Sequence, residues 1–536
     1  MMKQNFTLVL SLFFISGLFS CSKDDSSPIM PVLQEGVFNY TSDKAHNLNV
    51  VYFIPNDVTE PVDYHRRVSE ILLQAQDFFG TEMQRNGYGN KTFGLLKDDA
   101  KKRIKLIVIK GSKGKAAYPY SGGADVVQQE INDYKTRHPS EFTGDHYLVI
   151  LPATVDVATG NAEGAGVPFY GYGKFCFALD YPEQDIKYLG AGGTLGSTAS
   201  KWIGGMIHEL GHGLNLPHNR QKFSSEATLG MALMWGGNST WGVSKTFLTP
   251  ADCAVLNVNQ IFNNDKKTYY GTSTASILEI QASYDTSKGV IVVSGKYNSS
   301  LAVKEVLFFN DPNVNNEGTG VNKDYNAIAW TSKPMSSNRF YIEMPIVDLE
   351  FKNDNIPYEL KVMLVQENGN VIETIYSYTF LNGVPVLNFS TRDEISKQGW
   401  KAVSFSSEEA TDEPAPNGPI TNLIDGNAAT YWQSKWSSAV AVYPHEFVID
   451  MTAAHVAHGI TITQRGGLVA AIKNVELFTS IDGINFTFEG TYTFANVNGS
   501  QYFDFSAPKN FRYFKIVASS AWDGLDFAAL AEIGMY

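Results

Sequence analysis

Hydrophobic and polar positions follow two different periodic patterns along the chain, and the pattern changes near residue 272. Before it, short apolar runs alternate with stretches in which apolar residues recur every three to four positions. This order predicts buried strands separated by amphipathic helices, and therefore an α/β domain over residues 46–272. The predicted strands are Leu48–Ile54, Ile104–Ile109, Tyr147–Leu151 and Lys174–Leu179, and the predicted helices are Tyr64–Gln84, Gly123–Arg137 and Ser197–Leu214.

After residue 272 the helical spacing disappears. Short strand-like stretches follow one another, and the loops between them carry Asn, Gly and Asp. This pattern predicts a β-sandwich of immunoglobulin-like type over residues 273–390, which we interpret as a spacer because it holds no cluster of reactive side chains. The predicted strands are Ile277–Ala282, Val290–Lys296, Val303–Phe309, Arg339–Pro345, Tyr358–Gln366 and Val371–Phe380.

The segment HELGHGLNLPH, from His208 to His218, carries the strongest chemical signal in the chain. His208 and His212 are four residues apart, so a helix puts both imidazoles on one face, where they can bind zinc. Glu209 follows the first of them and is placed to act on a metal-bound water. His218 can join the site only if the helix ends first, and Asn215 favours that ending because Asn tolerates the left-handed conformation.

Two other interpretations of these histidines are weaker. Three unrelated histidines at these offsets would be a rare coincidence, because the chain has only 10 His among 536 residues. A structural zinc site usually has four protein ligands, often cysteines, and no Cys lies near this segment. Three histidines leave a position for water, as in catalytic zinc sites.

The same segment resembles the metzincin metalloproteases, whose signature is HExxHxxGxxH, with Asn215 in place of the last Gly. Downstream, Ala232-Leu233-Met234-Trp235 is similar to the methionine turn beneath the metal in that family, with Met234 as its methionine. The resemblance implies a zinc endopeptidase with the three histidines as ligands and Glu209 as the base. It also implies that an edge strand within Gly164–Gly173 pairs with the substrate, although a Gly-rich surface loop fits that run as well.

Residues 395–536 resemble a second family, the discoidin-type (coagulation factor C-domain) jelly rolls. The resemblance rests on motifs in the family's order, which are Asn422–Asn427, Thr430–Trp432, Pro444–Asp450, Thr479–Gly483, Arg512–Ile516 and Ala531–Ile533. The family often holds calcium, an ion that prefers oxygen ligands. The resemblance implies that Asp425, Asn427, Thr430 and Glu532 would surround it, and a solvated turn with a surface glutamate is the alternative.

Many such modules in bacterial enzymes bind sugars, and the resemblance extends that expectation to this chain. A sugar site needs an aromatic platform and a few polar groups at one end of the sandwich. Trp436, Arg465 and Trp522 fall in predicted loops or at strand ends, so they are the candidate residues. Each of them, taken alone, is also typical of a structural or simply exposed residue.

The first residues are typical of a targeting segment. Lys3 precedes an apolar stretch, Phe6–Phe19, that is too short to span a bilayer well. The ending Leu18-Phe19-Ser20-Cys21 resembles a bacterial lipoprotein box, which implies a signal peptide over residues 1–20 and a lipid on Cys21; a plain secretory signal is the alternative. Lys23-Asp24-Asp25 is similar to the surface-export signal of Bacteroides-group lipoproteins. We therefore expect an outer-membrane lipoprotein exposed on the cell surface, with residues 21–45 as its tether.

Charge and cysteine content narrow the remaining possibilities. The net charge is −13 without a basic block, so nucleic acid is not an expected partner. Cys176 and Cys253 show no framework pattern, and we expect two free buried thiols rather than a disulfide.

These observations predict a multidomain, surface-anchored zinc endopeptidase that acts on extracellular proteins or glycoproteins such as mucins. A C-terminal glycan-binding module would hold it close to such substrates. Two other functions remain open: an inactive surface adhesin, and a zinc amidase or deacetylase that acts on glycans or peptidoglycan. The intact Glu209 argues against the adhesin, and the third His of the signature and the methionine turn favour the endopeptidase.

Overall fold

A five-stranded sheet, ordered β2-β1-β3-β5-β4, organises the first domain of the computed structural model. Its strands are β1 (Asn49–Ile54), β2 (Ile107–Lys110), β3 (Tyr147–Pro152), β4 (Tyr170–Tyr172) and β5 (Phe175–Asp180). Strands β2, β1, β3 and β5 are parallel, whereas β4 runs antiparallel at the edge. Strands β1 and β3 are buried along their whole length, which explains their nearly continuous apolar sequences.

Helices cover both faces of this sheet. The helices of the first domain are α1 (Tyr64–Arg85), α2 (Gly123–Arg137), α3 (Gly193–Gly213), α4 (Phe223–Leu229) and α5 (Pro250–Asn257), of which α4 has no buried residue. Because successive strand residues point to opposite faces, Val50 and Tyr52 pack in the cluster that contains residues of α1 and α3, whereas Val51 and Phe53 pack in the cluster that contains residues of α2. The histidine-bearing helix α3 therefore lies on the same face as α1.

Two boundaries in this domain differ from the sequence prediction. The strand predicted at Ile104–Ile109 is broken: Arg103–Ile104 pairs with Lys97–Asp98, and only Ile107–Lys110 joins the central sheet. Helix α3 begins at Gly193, four residues before the predicted start at Ser197. Gly193 and Gly196 lower the helix propensity of that first turn, so the sequence pattern hides it.

Two packed sheets follow the first domain. Their strands are β6 (Ala275–Asp285), β7 (Val290–Ser299), β8 (Val303–Pro312), β9 (Ile328–Ser332), β10 (Arg339–Pro345), β11 (Tyr358–Gln366), β12 (Val371–Leu381) and β13 (Val384–Val386). The smaller sheet is ordered β6-β7-β10 and the larger β9-β8-β11-β12-β13. Strand β9 was not predicted, because it is short and the sequence before it is rich in Asn and Gly.

The C-terminal domain is built almost entirely of strands around its own apolar core. The strands are β14 (Lys401–Phe405), β15 (His445–Thr463), β16 (Ile472–Ser480), β17 (Thr487–Thr493), β18 (Ser500–Ala521) and β19 (Glu532–Met535). They form one sheet in the order β14-β15-β18-β16-β17, with β19 paired to β15. Trp432, which is fully buried, packs in the core of this domain with Phe447 and Phe514.

The structure describes residues 37–119, 122–155, 162–163, 170–314, 325–354, 356–387 and 389–536. The predicted signal peptide, Cys21 and most of the predicted tether lie outside these ranges, as does most of the Gly-rich run 164–173. Within them, Cys176 and Cys253 are free and buried, as expected. None of the helices in these ranges has the length and apolar character needed to cross a membrane.

Candidate metal centre

Three histidine side chains converge at the end of helix α3. One ring nitrogen from each of His208, His212 and His218 lies within 4.8 Å of the others. His208 and His212 occupy successive turns of α3, and the chain then reverses at Asn215, whose φ of 71° is the left-handed conformation that the sequence predicts. That reversal returns His218 to the same side of the helix.

Backbone carbonyl groups fix the orientation of two of the three rings. Nδ1 of His208 lies 2.7 Å from the carbonyl oxygen of Leu233, and Nδ1 of His212 lies 2.9 Å from that of Leu216. A carbonyl can only accept a hydrogen bond, so Nδ1 carries the proton in both rings and Nε2 keeps its lone pair. Nε2 of His212 lies 2.9 Å from Nε2 of His218. Three imidazole nitrogens this close together form a donor set that fits a zinc ion, which binds imidazole in its neutral form.

Glu209 lies beside these nitrogens in a largely apolar setting. Burial raises the pKa of its carboxyl group to about 8. A nearby metal cation would favour the ionised form and oppose that rise. Burial and a metal cation would therefore act in opposite directions on the pKa of this carboxyl group.

Close contacts at two glycines show that Met234 and strand β4 lie against the histidine-bearing helix. A side chain at Gly211 would collide with Sδ of Met234, so this methionine lies directly against helix α3 between the two helical histidines. Met231, by contrast, packs on Gly236. On the other side, a side chain at Gly171 of β4 would collide with His212, and the edge strand therefore lies against the second ligand candidate.

Sequence reasoning missed the residues that hold the loop of His218. The amide of Asn219 donates to Oδ1 of the buried Asp252 at 2.6 Å, and Asp252 also closes the capping box of α5 with Thr249. The ring of Tyr325 stacks on that of His218, with centroids 3.9 Å apart. Asp252 and Tyr325 lie far from the histidine motif in sequence, and each of the three residues alone is an ordinary Asn, Asp or Tyr, so no local pattern marks them.

A single cavity of about 760 Å³ joins these groups. The three histidines, Glu209 and the edge-strand residue Gly171 line one side of it. Its other lining residues include four from the β-sandwich, which are Tyr325, Met363, Val371 and Glu373. An extended peptide lying along β4 would therefore pass between the two domains.

The structure brings together the four residues predicted to hold calcium. The backbone N–H of Asn427 donates to carboxylate oxygens of both Asp425 and Glu532, each at 2.8 Å, and the Thr430 hydroxyl donates to Asp425 at 2.7 Å. The remaining oxygen of Glu532 is paired with the ammonium group of Lys397. All four carboxylate oxygens thus have donors, and calcium would have to displace the Lys397 cation. The calcium site stays a prediction.

Two of the three predicted sugar-binding residues meet at Glu413. Nε1 of Trp436 donates to the carboxylate of Glu413 at 3.2 Å, and Nη1 of Arg465 lies 3.8 Å from the same oxygen. The guanidinium group also stacks on Tyr431, 4.0 Å from the ring centroid. Trp522 instead donates from Nε1 to the carbonyl group of Phe494, so its contacts belong to another loop.

Comparisons with known proteins agree with this organisation. Residues 402–533 match the F5/8 type C domain, which confirms the predicted discoidin-type fold. The sialidase of Micromonospora viridifaciens is 30% identical over 136 residues, 24% of this chain; the chain spans about a fifth, 21%, of that relative.

Crystal structures of OgpA from Akkermansia muciniphila are similar over a larger part of the chain. Wild-type OgpA is 36% identical, with a TM-score of 0.58 over 65% of this chain and 97% of OgpA. A second structure, of catalytically inactive OgpA in complex with an O-glycopeptide substrate, has the same identity and TM-score over 65% of this chain and 96% of OgpA. The chain therefore has an F5/8 type C domain at residues 402–533 and is similar to OgpA over more of its length than that domain can account for.

Proposed function

We propose that this protein is a zinc-dependent endopeptidase that cleaves extracellular glycoproteins at the cell surface. The observation that carries the proposal is the convergence of three imidazole nitrogens and a half-buried carboxyl group in one cavity. Zinc sites of this kind leave a position for water, as hydrolysis requires. Similarity to OgpA, which has been crystallised with an O-glycopeptide substrate, favours glycosylated peptides as the substrate class.

The histidines, Glu209 and strand β4 would have different roles in the reaction. His208, His212 and His218 would hold zinc, which when bound polarises the scissile carbonyl and makes water a stronger nucleophile. Glu209 accepts a proton from the attacking water and passes it to the leaving amine. Among the described residues β4 is paired on one side only, and its other edge offers backbone hydrogen bonds that align an extended substrate beside His212.

The F5/8 type C domain would bind glycans of the same substrate. Trp436 offers an apolar ring that is 38% exposed, and Arg465 beside it offers hydrogen-bond donors. Binding there would raise the effective concentration of the substrate without entering the chemistry. A lipid on Cys21 would keep the enzyme at the membrane surface.

The deciding experiment compares Glu209→Gln with the wild type on matched peptides with and without an O-glycan. We expect the wild type to cleave the glycopeptide and the variant to lose about 100-fold to 10,000-fold in kcat, because only proton transfer is removed. Zinc content and the melting temperature should stay unchanged. Glu226→Gln, an exposed carboxylate on α4, is the control and should cleave at the wild-type rate.

Three outcomes would contradict the proposal. Cleavage by Glu209→Gln at the wild-type rate would remove Glu209 from the mechanism. A wild type that removes acetyl groups from glycans but leaves every peptide intact would make the protein a deacetylase. A wild type that binds glycoproteins without changing them would make it an adhesin.

A further inference from the structure

Strand β8, in the larger sheet of the β-sandwich, is buried on both faces over most of its length. On β8, Val306 and Phe308 pack toward the smaller sheet, whereas Leu307 and Phe309 belong to the same apolar cluster as the core of the first domain. Successive strand residues point to opposite faces, so this strand contacts the rest of the molecule on both sides. A spacer needs only one buried face, so the second apolar face has another purpose.

Hydrogen bonds fix this sheet beside the candidate metal centre. The backbone N–H of Arg220, two residues after His218, donates to the carbonyl group of Ala327 at 2.8 Å. The Arg220 side chain forms an ion pair with Glu350, and the backbone N–H of Ser224 donates to Asp348 at 3.1 Å. The sandwich is therefore attached to the loop that carries the third histidine.

The face directed at the first domain continues into the cavity. Strands β11 and β12 pair so that Val365 is opposite Val371 and Met363 is opposite Glu373. Met363, Val371 and Glu373 line the cavity together with the histidines. From the first domain, Leu216 and Val255 add apolar surface to the same cavity. We call Leu216, Val255, Met363 and Val371 the apolar patch.

We propose that the apolar patch receives an apolar side chain of the substrate at a position flanking the scissile bond. The β-sandwich is then the half of the active site that selects sequence, while the first domain supplies the chemistry. This inference rests on the proposed peptidase function and adds a substrate class to it. An aliphatic or aromatic side chain gains free energy by leaving water for such a surface, and a polar side chain does not.

The test is a cleavage profile on a random peptide library, glycosylated and unglycosylated, read by mass spectrometry. The wild type should prefer apolar residues at one position next to the cleaved bond. Val371→Asn should lower the ratio of kcat/KM for apolar over polar residues at that position by about tenfold, the scale on which enzymes discriminate apolar groups. The more conservative Val371→Thr should lower it in the same direction, and covers the case in which the Asn variant does not fold.

Ile375→Asn is the matched control. Ile375 lies on the same strand and the same face as Val371 and Glu373, is 46% exposed, and lies beyond the residues that line the cavity. It should leave the profile unchanged. If Val371→Asn and Val371→Thr keep full zinc content and the wild-type preference, the apolar patch is not a substrate pocket although the protein is a peptidase. If the wild type cleaves no peptide, the proposed function itself is wrong and the inference fails with it.

Discussion

The candidate metal centre and the candidate sugar site lie in the same chain but differ in how their residues are held. The metal centre takes its three histidines from a segment of consecutive residues, and backbone carbonyl groups orient two of the rings. The sugar site takes Trp436 and Arg465 from separate loops, where side chains hold them: Trp436 donates to Glu413, and Arg465 donates to Gln433 at 2.9 Å. Residues four apart on a helix always lie on the same face, so their proximity follows from the sequence. Residues on separate loops come together only through tertiary packing.

The largest expected effect lies at the metal centre. His218→Ala should weaken zinc binding by at least about 100-fold, because it removes a ligand where even a change in a ligand's hydrogen-bond partner costs 10-fold to 100-fold. Zinc content after dialysis, measured by elemental analysis, checks the effect. His458→Ala, an exposed histidine in the C-terminal domain, should keep the full content. Equal zinc content in both variants would mean that His218 is not a ligand.

The same contrast explains how much the sequence could predict. The spacing from His208 to His218 predicts the helix, its reversal at Asn215 and the convergence of the rings, because each depends on local backbone geometry. The residues around them could not be predicted in this way. Asp252 and Tyr325 reach the site through tertiary packing, and no pattern in the sequence around them indicates that they lie there.

A similar limit applies to the fold: the sequence predicts a strand, but not which part of the molecule packs on each of its faces. The continuous apolar run along β8 predicts a buried strand, but the sequence alone does not say which partner covers each of its two faces. The sandwich could therefore be predicted as a domain, while its attachment beside the metal centre could not. The jelly-roll motifs, in contrast, were sufficient to identify the C-terminal domain over residues 402–533.

An intermediate effect is expected at the sugar site. Arg465→Ala should lower the affinity of the domain for its glycan about tenfold or more, the scale of a lost charged hydrogen bond. Trp436→Ala should act in the same direction. Trp522→Ala is the sharper comparison, because this residue contacts Phe494 and Lys473 instead, and its removal should leave binding intact. Glycan-array binding of the full chain measures all three; a loss with Trp522→Ala alone would move the site to that loop.

The smallest effect concerns calcium. The ammonium group of Lys397 is paired with Glu532 and would compete with a calcium ion for that carboxylate. Lys397→Met should therefore tighten calcium binding by about tenfold, which corresponds to about 1.4 kcal/mol. Removal of the lysine leaves Asp425 and Glu532 without a positive partner, which also favours the ion. Calorimetric titration of both proteins with calcium measures the difference. Absence of calcium binding in both would show that hydrogen bonds alone hold this turn.

The attachment of the sandwich to the first domain has a consequence for how the molecule unfolds. Leu307, Phe309 and Val365 are part of the first domain's core, so neither unit can open without exposing the apolar surface of the other. Heating or denaturant should melt residues 46–390 in one cooperative transition, with the F5/8 type C domain, which has its own core, free to melt separately. A chain cut near residue 272 would be an unstable fragment rather than a minimal enzyme.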